Sequence, residues 1–140
     1  MQDLPAITGR CQCGDIRYIV SAGAGKVNVC FCGMCKRATG SPVPSFISVP
    51  KERVAWQGEP AVYASSGEAT RGFCRKCGTP VYYASNAGTT YGLTAGTADL
   101  ALSPDVVFYY DRHPAWLGTL ADLPKPDFAN AACSGHGTTE

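Results

Sequence analysis

Hydrophobic and polar positions alternate along much of this chain in short runs. Ile16, Tyr18 and Val20 alternate with Asp15, Arg17 and Ile19, the period of two that gives a strand one buried face, with Ile19 as its irregular position. Further β-rich stretches occupy 26–30, 43–49, 53–56, 62–65, 80–84, 91–95 and 106–110, most bounded by Gly, Pro, Asn or Asp. The 16 glycines and 10 prolines are scattered rather than clustered, so they read as turns between short strands and nearly exclude long helices. Residues 35–40 predict one helical turn closed by Gly40, and 115–121 a second short helix. The pattern therefore predicts one all-β domain over residues 1–128. From Pro124 onward the apolar pattern decays, and residues 129–140, lacking a burial face, predict a flexible tail.

Composition narrows the function. Of the 140 residues, 45% are apolar, enough for one core, while 16% charged residues with a net charge of +1 give no field to steer nucleic acid or an acidic membrane. No apolar run approaches the roughly 18 residues of a spanning helix, and Met1-Gln2-Asp3-Leu4-Pro5 lacks the blocks of a signal peptide. The expectation is a soluble, cytoplasmic protein. In that reducing compartment its eight cysteines point to metal rather than to disulfides.

Seven cysteines fall into three groups: Cys11 and Cys13; Cys30, Cys32 and Cys35; Cys74 and Cys77. Cys133 stands alone. Zinc takes thiolates in a tetrahedron, and paired cysteines followed by a glycine turn, here Gly14 and Gly78, present two sulfurs to one ion. Ligand counting then puts Cys11, Cys13, Cys74 and Cys77 in a closed structural site. Cys30, Cys32 and Cys35 form a site with three protein ligands and an open position, as in catalytic zinc. Two other arrangements stay open at this point. Cys133 or His136 would close the second site by folding back, or Cys11 and Cys13 would join two members of the middle group.

Gly9-Arg-Cys-Gln-Cys-Gly14, Cys30-Phe-Cys-Gly-Met-Cys-Lys-Arg-Ala-Thr-Gly-Ser41, Arg71-Gly-Phe-Cys-Arg-Lys-Cys-Gly78-Thr79 and Trp116 followed by Leu123-Pro124 resemble the glutathione-dependent formaldehyde-activating enzyme family over about residues 8 to 128. The resemblance implies an Mss4-like, or β-tent, zinc fold and two zinc ions per chain. Cys11, Cys13, Cys74 and Cys77 would hold the structural ion, and Cys30, Cys32 and Cys35 the catalytic one. It also implies a carbon-sulfur lyase that condenses glutathione with formaldehyde, or reverses that condensation. The chain departs from the family at Gln12 and Phe31, where histidine is frequent, at Lys36, where arginine is frequent, and at Val107, which replaces a histidine.

The mechanism expected is coordination of an incoming thiol at the three-cysteine zinc, which acidifies it for attack on an aldehyde carbon. Lys36 and Arg37 are candidate contacts for substrate carboxylates, as are Arg75 and Lys76. All four also serve to offset anionic zinc-thiolate centres. No proton donor stands out among Tyr82, Tyr83, Tyr109, Asp111 and His113, and Trp56 and Trp116 read as packing anchors. The expected partners are a small-molecule thiol and an aldehyde or their adduct, with no nucleic acid and no membrane. The competing class is a non-catalytic zinc module that binds a protein partner, which predicts a closed second site and an exposed apolar patch.

Overall fold

A computed structural model describes residues 1–125. The tail expected at 129–140, with Cys133 and His136, lies outside the described residues. The strands are β1 (Gln2–Leu4), β2 (Ile7–Arg10), β3 (Arg17–Val20), β4 (Gly23–Cys30), β5 (Ser45–Pro50), β6 (Val54–Gln57), β7 (Ala61–Ser66), β8 (Ala69–Phe73), β9 (Pro80–Ser85), β10 (Thr90–Thr94) and β11 (Val106–Phe108), with one α-helix, α1 (Gly33–Thr39). No helix among the described residues is long and apolar enough to cross a membrane.

The strands form two sheets. The larger runs β1-β4-β5-β10-β9-β8-β7, with β11 added in parallel beside β4; the smaller is β2-β3-β6. Their inner faces meet in one core in which Ile7, Tyr18 and Val20 of the small sheet join Val27, Ile47, Val49, Val81 and Leu93 of the large one. The alternation at Tyr18 and Val20 is the pattern that chooses the buried face of β3. Trp56 caps the core, its ring 5.5 Å from Tyr18 and 5.7 Å from Tyr91, the packing role expected of it. Trp116 is exposed.

Three differences from the sequence pattern stand out. The strand β8, Ala-Thr-Arg-Gly-Phe, has no apolar alternation and was not expected. It forms because β7 and β9 pair with it on both edges. The strand expected over 106–110 stops at Phe108 because Tyr109 turns into the left-handed region, φ 55 and ψ 46. The expected helix over 115–121 is a 3₁₀ stretch, Leu117–Asp122. A reciprocal pair of bonds docks β11. The Asp105 carboxylate accepts from the Val27 N–H at 2.8 Å while the Asp105 N–H donates to the Val27 carbonyl at 2.7 Å. The register that follows puts Phe108 beside Cys30.

Candidate metal centres and the adjoining cavity

Cys11 and Cys13 follow β2 in a turn, and Cys74 and Cys77 lie in the connection from β8 to β9. Each turn is closed by a glycine with positive φ, Gly14 at 79° and Gly78 at 78°, a conformation that costs a side chain about 1–2 kcal/mol. The fold brings these four sulfurs within 4.8 Å of one another. A tetrahedron with zinc–sulfur distances of about 2.3 Å separates its sulfurs by about 3.8 Å. Cys11 and Cys13 Sγ are 3.6 Å apart, and Cys13 and Cys74 Sγ 3.8 Å. The donor set and its spacing fit zinc. Cys11 and Cys74 are buried in the hydrophobic core, Cys13 is exposed and Cys77 half-buried. The Ile16 N–H donates to Cys11 Sγ at 3.3 Å, and Cys77 Sγ is 3.2 Å from the Thr79 hydroxyl. Burial works to raise the Cys77 thiol, but the Thr79 hydroxyl and the amides of Thr79 and Cys13 outweigh it and hold it at about 5.

The second group is built from one continuous segment. Cys30 ends β4, Cys32 is the N-cap of α1 and Cys35 lies on its first turn, with the Cys35 N–H donating to Cys32 Sγ at 3.3 Å. These three sulfurs also lie within 4.8 Å of one another. Burial, reinforced by its two thiol neighbours, pushes Cys30 up to about 12, because three thiols this close resist ionising together without a cation. The donor set again suits zinc, with three ligands among the described residues.

The surroundings of the two groups differ. Cys30, Cys32 and Cys35 open onto a cavity of about 380 Å³ walled by Phe46, Tyr83, Phe108 and Tyr109, into which Asn28 and Ser48 also face; none of the other four cysteines lines it. Arg71 borders this cavity although it is only 3% exposed. Its Nε donates to Ser65 Oγ at 3.0 Å, its Nη2 to Cys35 Sγ at 3.5 Å, and its guanidinium lies over the Tyr83 ring at 5.0 Å. Sequence reasoning gave Arg71 no role. Its one signal is the Arg-Gly pair just ahead of Cys74, within a stretch that has no strand pattern.

The cations that flank the cysteines in sequence are elsewhere. Lys36 donates to the Arg112 carbonyl at 2.7 Å and lies over the Phe31 ring, and Arg37 Nη1 donates to the Gly33 carbonyl. Neither lines the cavity. Lys76 pairs with Asp15 at 3.5 Å beside the four-sulfur group, where Arg75 is exposed. Of the proton-donor candidates, Tyr83 and Tyr109 line the cavity, while Tyr82 packs in the core against Trp56 and Tyr91. His113 stacks on Tyr110 and is 2.6 Å from its carbonyl, and Asp111 pairs with Arg112.

Comparison with known proteins bears on the family and the fold. The family model described as glutathione-dependent formaldehyde-activating enzyme matches residues 6–112. An uncharacterized lyase of Schizosaccharomyces pombe is 33% identical over 85 residues, 61% of this chain and 62% of that protein, so the chain matches under two thirds of that relative's length. The crystal structure of a Rhodobacter sphaeroides protein superposes with a TM-score of 0.58 at 20% identity, covering 72% of this chain and 98% of the other. That likeness bears on the fold, and the fold is the all-β, Mss4-like class expected from the sequence.

Proposed function

The chain belongs to the glutathione-dependent formaldehyde-activating enzyme family, and from that premise we propose that it is a zinc-dependent carbon-sulfur lyase, joining a small thiol to an aldehyde such as formaldehyde and reversing that step. Glutathione is the thiol the family points to. The observation that carries this reading is the contrast between the two sulfur groups: three cysteines face a cavity of about 380 Å³, and the other four do not. Cys30, Cys32 and Cys35 would hold the zinc at the reacting end of the cavity, and Cys11, Cys13, Cys74 and Cys77 the zinc that joins the sheets. Zinc at the three-cysteine site supplies an acidified, nucleophilic thiol at neutral pH.

The chain's own residues shape what happens around that thiol. Phe46, Phe108 and the Tyr83 and Tyr109 rings give the cavity a largely apolar wall. Asn28, 8% exposed, has one amide N–H engaged with Ser48 Oγ at 3.3 Å. Its carbonyl oxygen has no partner among the described residues, so it offers an acceptor to a bound substrate.

The test pairs zinc content with turnover. Two metals per chain, a cobalt-substituted spectrum that changes on adding glutathione, and accelerated exchange between formaldehyde and its glutathione adduct, followed by NMR, are the expected results. One metal per chain, or a spectrum indifferent to every thiol, sinks the reading. The second reading, a zinc module for a protein partner, draws on the exposed Val107, Phe108, Tyr109, Tyr110 and Trp116. It predicts two metals with no thiol response.

A further inference from the structure

Arg71 is a buried cation without a carboxylate. It is 3% exposed, and no Asp or Glu among the described residues pairs with it. Buried charges are ordinarily paired or neutralised. Arg71 spends Nε on Ser65 and Nη2 on Cys35 Sγ, rests its face on Tyr83, and has no acceptor for Nη1 among the described residues. No buried side-chain nitrogen or oxygen there lacks a partner, so Nη1 keeps accessible surface; Arg71 stands in the wall of the cavity that holds the three cysteines and also borders a second cavity lined by Ala38 and Tyr63.

We propose that Arg71 is a catalytic residue whose guanidinium donates hydrogen bonds to the carbonyl oxygen of the aldehyde as negative charge develops there. The inference rests on the lyase reading above. Charge accounting separates it from the obvious rival, a pocket for a substrate carboxylate. Three cysteine thiolates, a divalent cation and the incoming thiolate sum to about −2, of which one guanidinium offsets half. A substrate carboxylate adds a further negative charge to this small site. Addition of a thiolate to a carbonyl changes no total: the negative charge leaves sulfur and arrives on oxygen.

The step balances without a redox partner. A carbon–sulfur bond forms, the π pair of the C=O bond moves onto oxygen, and the alkoxide takes a proton from water. The proton lost by the thiol has already passed to water. Arg71 keeps its protons throughout, since a guanidinium does not deprotonate in proteins, and the reverse reaction retraces the path. Donors fixed in a site with little water are worth far more to a developing oxyanion than the same donors in bulk solvent.

The experiment compares the unaltered protein with Arg71→Lys and Arg71→Met, each first checked for metal content and far-UV circular dichroism. In folded, metal-loaded Arg71→Met, kcat for glutathione–formaldehyde adduct exchange is expected to fall about 10²–10³-fold, the scale of a lost oxyanion donor. Thiol affinity, read from the cobalt spectrum, should stay within about threefold, a threshold well below that loss. Arg71→Lys should recover part of the rate, and guanidinium ion added to Arg71→Ala should do the same. A purely structural arginine gives neither rescue. In the unaltered protein labelled with ¹⁵N at arginine, the Arg71 side-chain resonances should move with glutathione and formaldehyde together and not with glutathione alone. This holds even where the variants fail to fold. Absence of turnover in the unaltered protein overturns both readings. Normal turnover in folded Arg71→Met, or resonances unmoved by formaldehyde during turnover, overturns Arg71's role and leaves the lyase reading standing.

Discussion

The two sulfur groups lie in one small domain and are assembled in opposite ways. The four-cysteine group draws its ligands from two turns 61 residues apart in sequence, at Cys13 and Cys74, and sinks two of its sulfurs into the core. The three-cysteine group comes from one segment, Cys30 to Cys35, and opens onto a cavity. A cross-link between distant segments contributes to stability because it closes a long loop. A local cluster closes almost none, so it adds little to stability by this route, and it is this group that opens onto the cavity. The groups differ in their surroundings as well: Arg71 reaches Cys35, whereas Lys76, beside the four-cysteine group, pairs with Asp15 at the surface.

The sharpest way to break this comparison is to remove one sulfur from each group. Structural zinc in small domains contributes about 10–16 kcal/mol, as much as or more than the roughly 5–15 kcal/mol total stability of a typical domain. Cys74→Ser is therefore expected to give an unfolded or insoluble chain. Cys32→Ser is expected to keep its circular dichroism and its cooperative melt while losing one metal and all turnover. Equal loss of fold in both variants would refute the division of labour.

Chelation tests the same contrast in the unaltered protein. Cys32 and Cys35 are half-buried beside the cavity, and their group offers three ligands among the described residues; the other group offers four and, although Cys13 is exposed, holds Cys11 and Cys74 at 0% and 1% exposure. Two steps are expected in a titration followed by metal release and circular dichroism. The first metal leaves with the secondary structure intact, and the second leaves with unfolding. A single step releasing both, with unfolding, would make the two sites one cooperative unit.

How much of this was legible in the sequence follows from the range of the interactions. Cys-x-Cys-Gly and Cys-x-x-Cys-Gly are local devices, so the turns at Gly14 and Gly78 and the three clusters along the chain could be read directly, whereas how the clusters combine stayed open until the fold brought Cys11 and Cys13 beside Cys74 and Cys77. The alternation at Tyr18 and Val20 likewise named its own buried face. Arg71 was not legible, because an arginine in a strand ordinarily marks the solvent side. Only the pairing of β8 between β7 and β9, with α1 packed nearby, turns it toward Cys35. Lys36 and Arg37 do not line the cavity, for the complementary reason. They adjoin a cysteine in sequence, but a helix turns each successive residue by about 100°, and their charged ends go to the Arg112 and Gly33 carbonyls.

A smaller effect separates the core beneath the four-cysteine group from the cavity side. Tyr18 is buried there with its hydroxyl 2.9 Å from Thr97 Oγ1, and burial, aided by the charge of Asp99 and opposed by the Thr97 bond, pushes its pKa up to about 12. In the unfolded chain a tyrosine ionises near 10. Below pH 10 both states keep the proton and stability is unaffected. Between 10 and 12 only the unfolded state loses it, so stability falls by about 1.4 kcal/mol per pH unit, then levels off once the folded state ionises too. Urea midpoints measured across this window should fall more steeply for the unaltered protein than for Tyr18→Phe. Parallel slopes would show that Tyr18 does not control the alkaline limb.

The smallest effect is the most specific to the comparison, because the backbone penalty should appear in full in one group and be cancelled in the other. The turn after Cys77 is made by Gly78 at φ 78°, and a Cβ added there meets nothing within 4 Å. Gly78→Ala therefore isolates the backbone penalty, about 1–2 kcal/mol of destabilisation. On the cavity side the corresponding left-handed position, φ 55°, is held by Tyr109, with its ring 5.0 Å from the Arg112 guanidinium carbon and 54% of its surface exposed. Tyr109→Gly removes the same penalty. It also frees the unfolded chain, which returns about 0.4–1 kcal/mol, and it forfeits a cation–π contact of about 0.5–1 kcal/mol. The three terms nearly cancel, so the net expected change is close to zero, within about 1 kcal/mol either way, seen as a Tm that barely moves, together with weaker thiol binding as the cavity loses one aromatic wall. A glycine would serve the fold about as well at this position, and what tyrosine adds is the wall it gives the cavity. A loss in Tyr109→Gly as large as that in Gly78→Ala, with thiol binding unchanged, would remove that explanation and leave Tyr109 as ordinary packing.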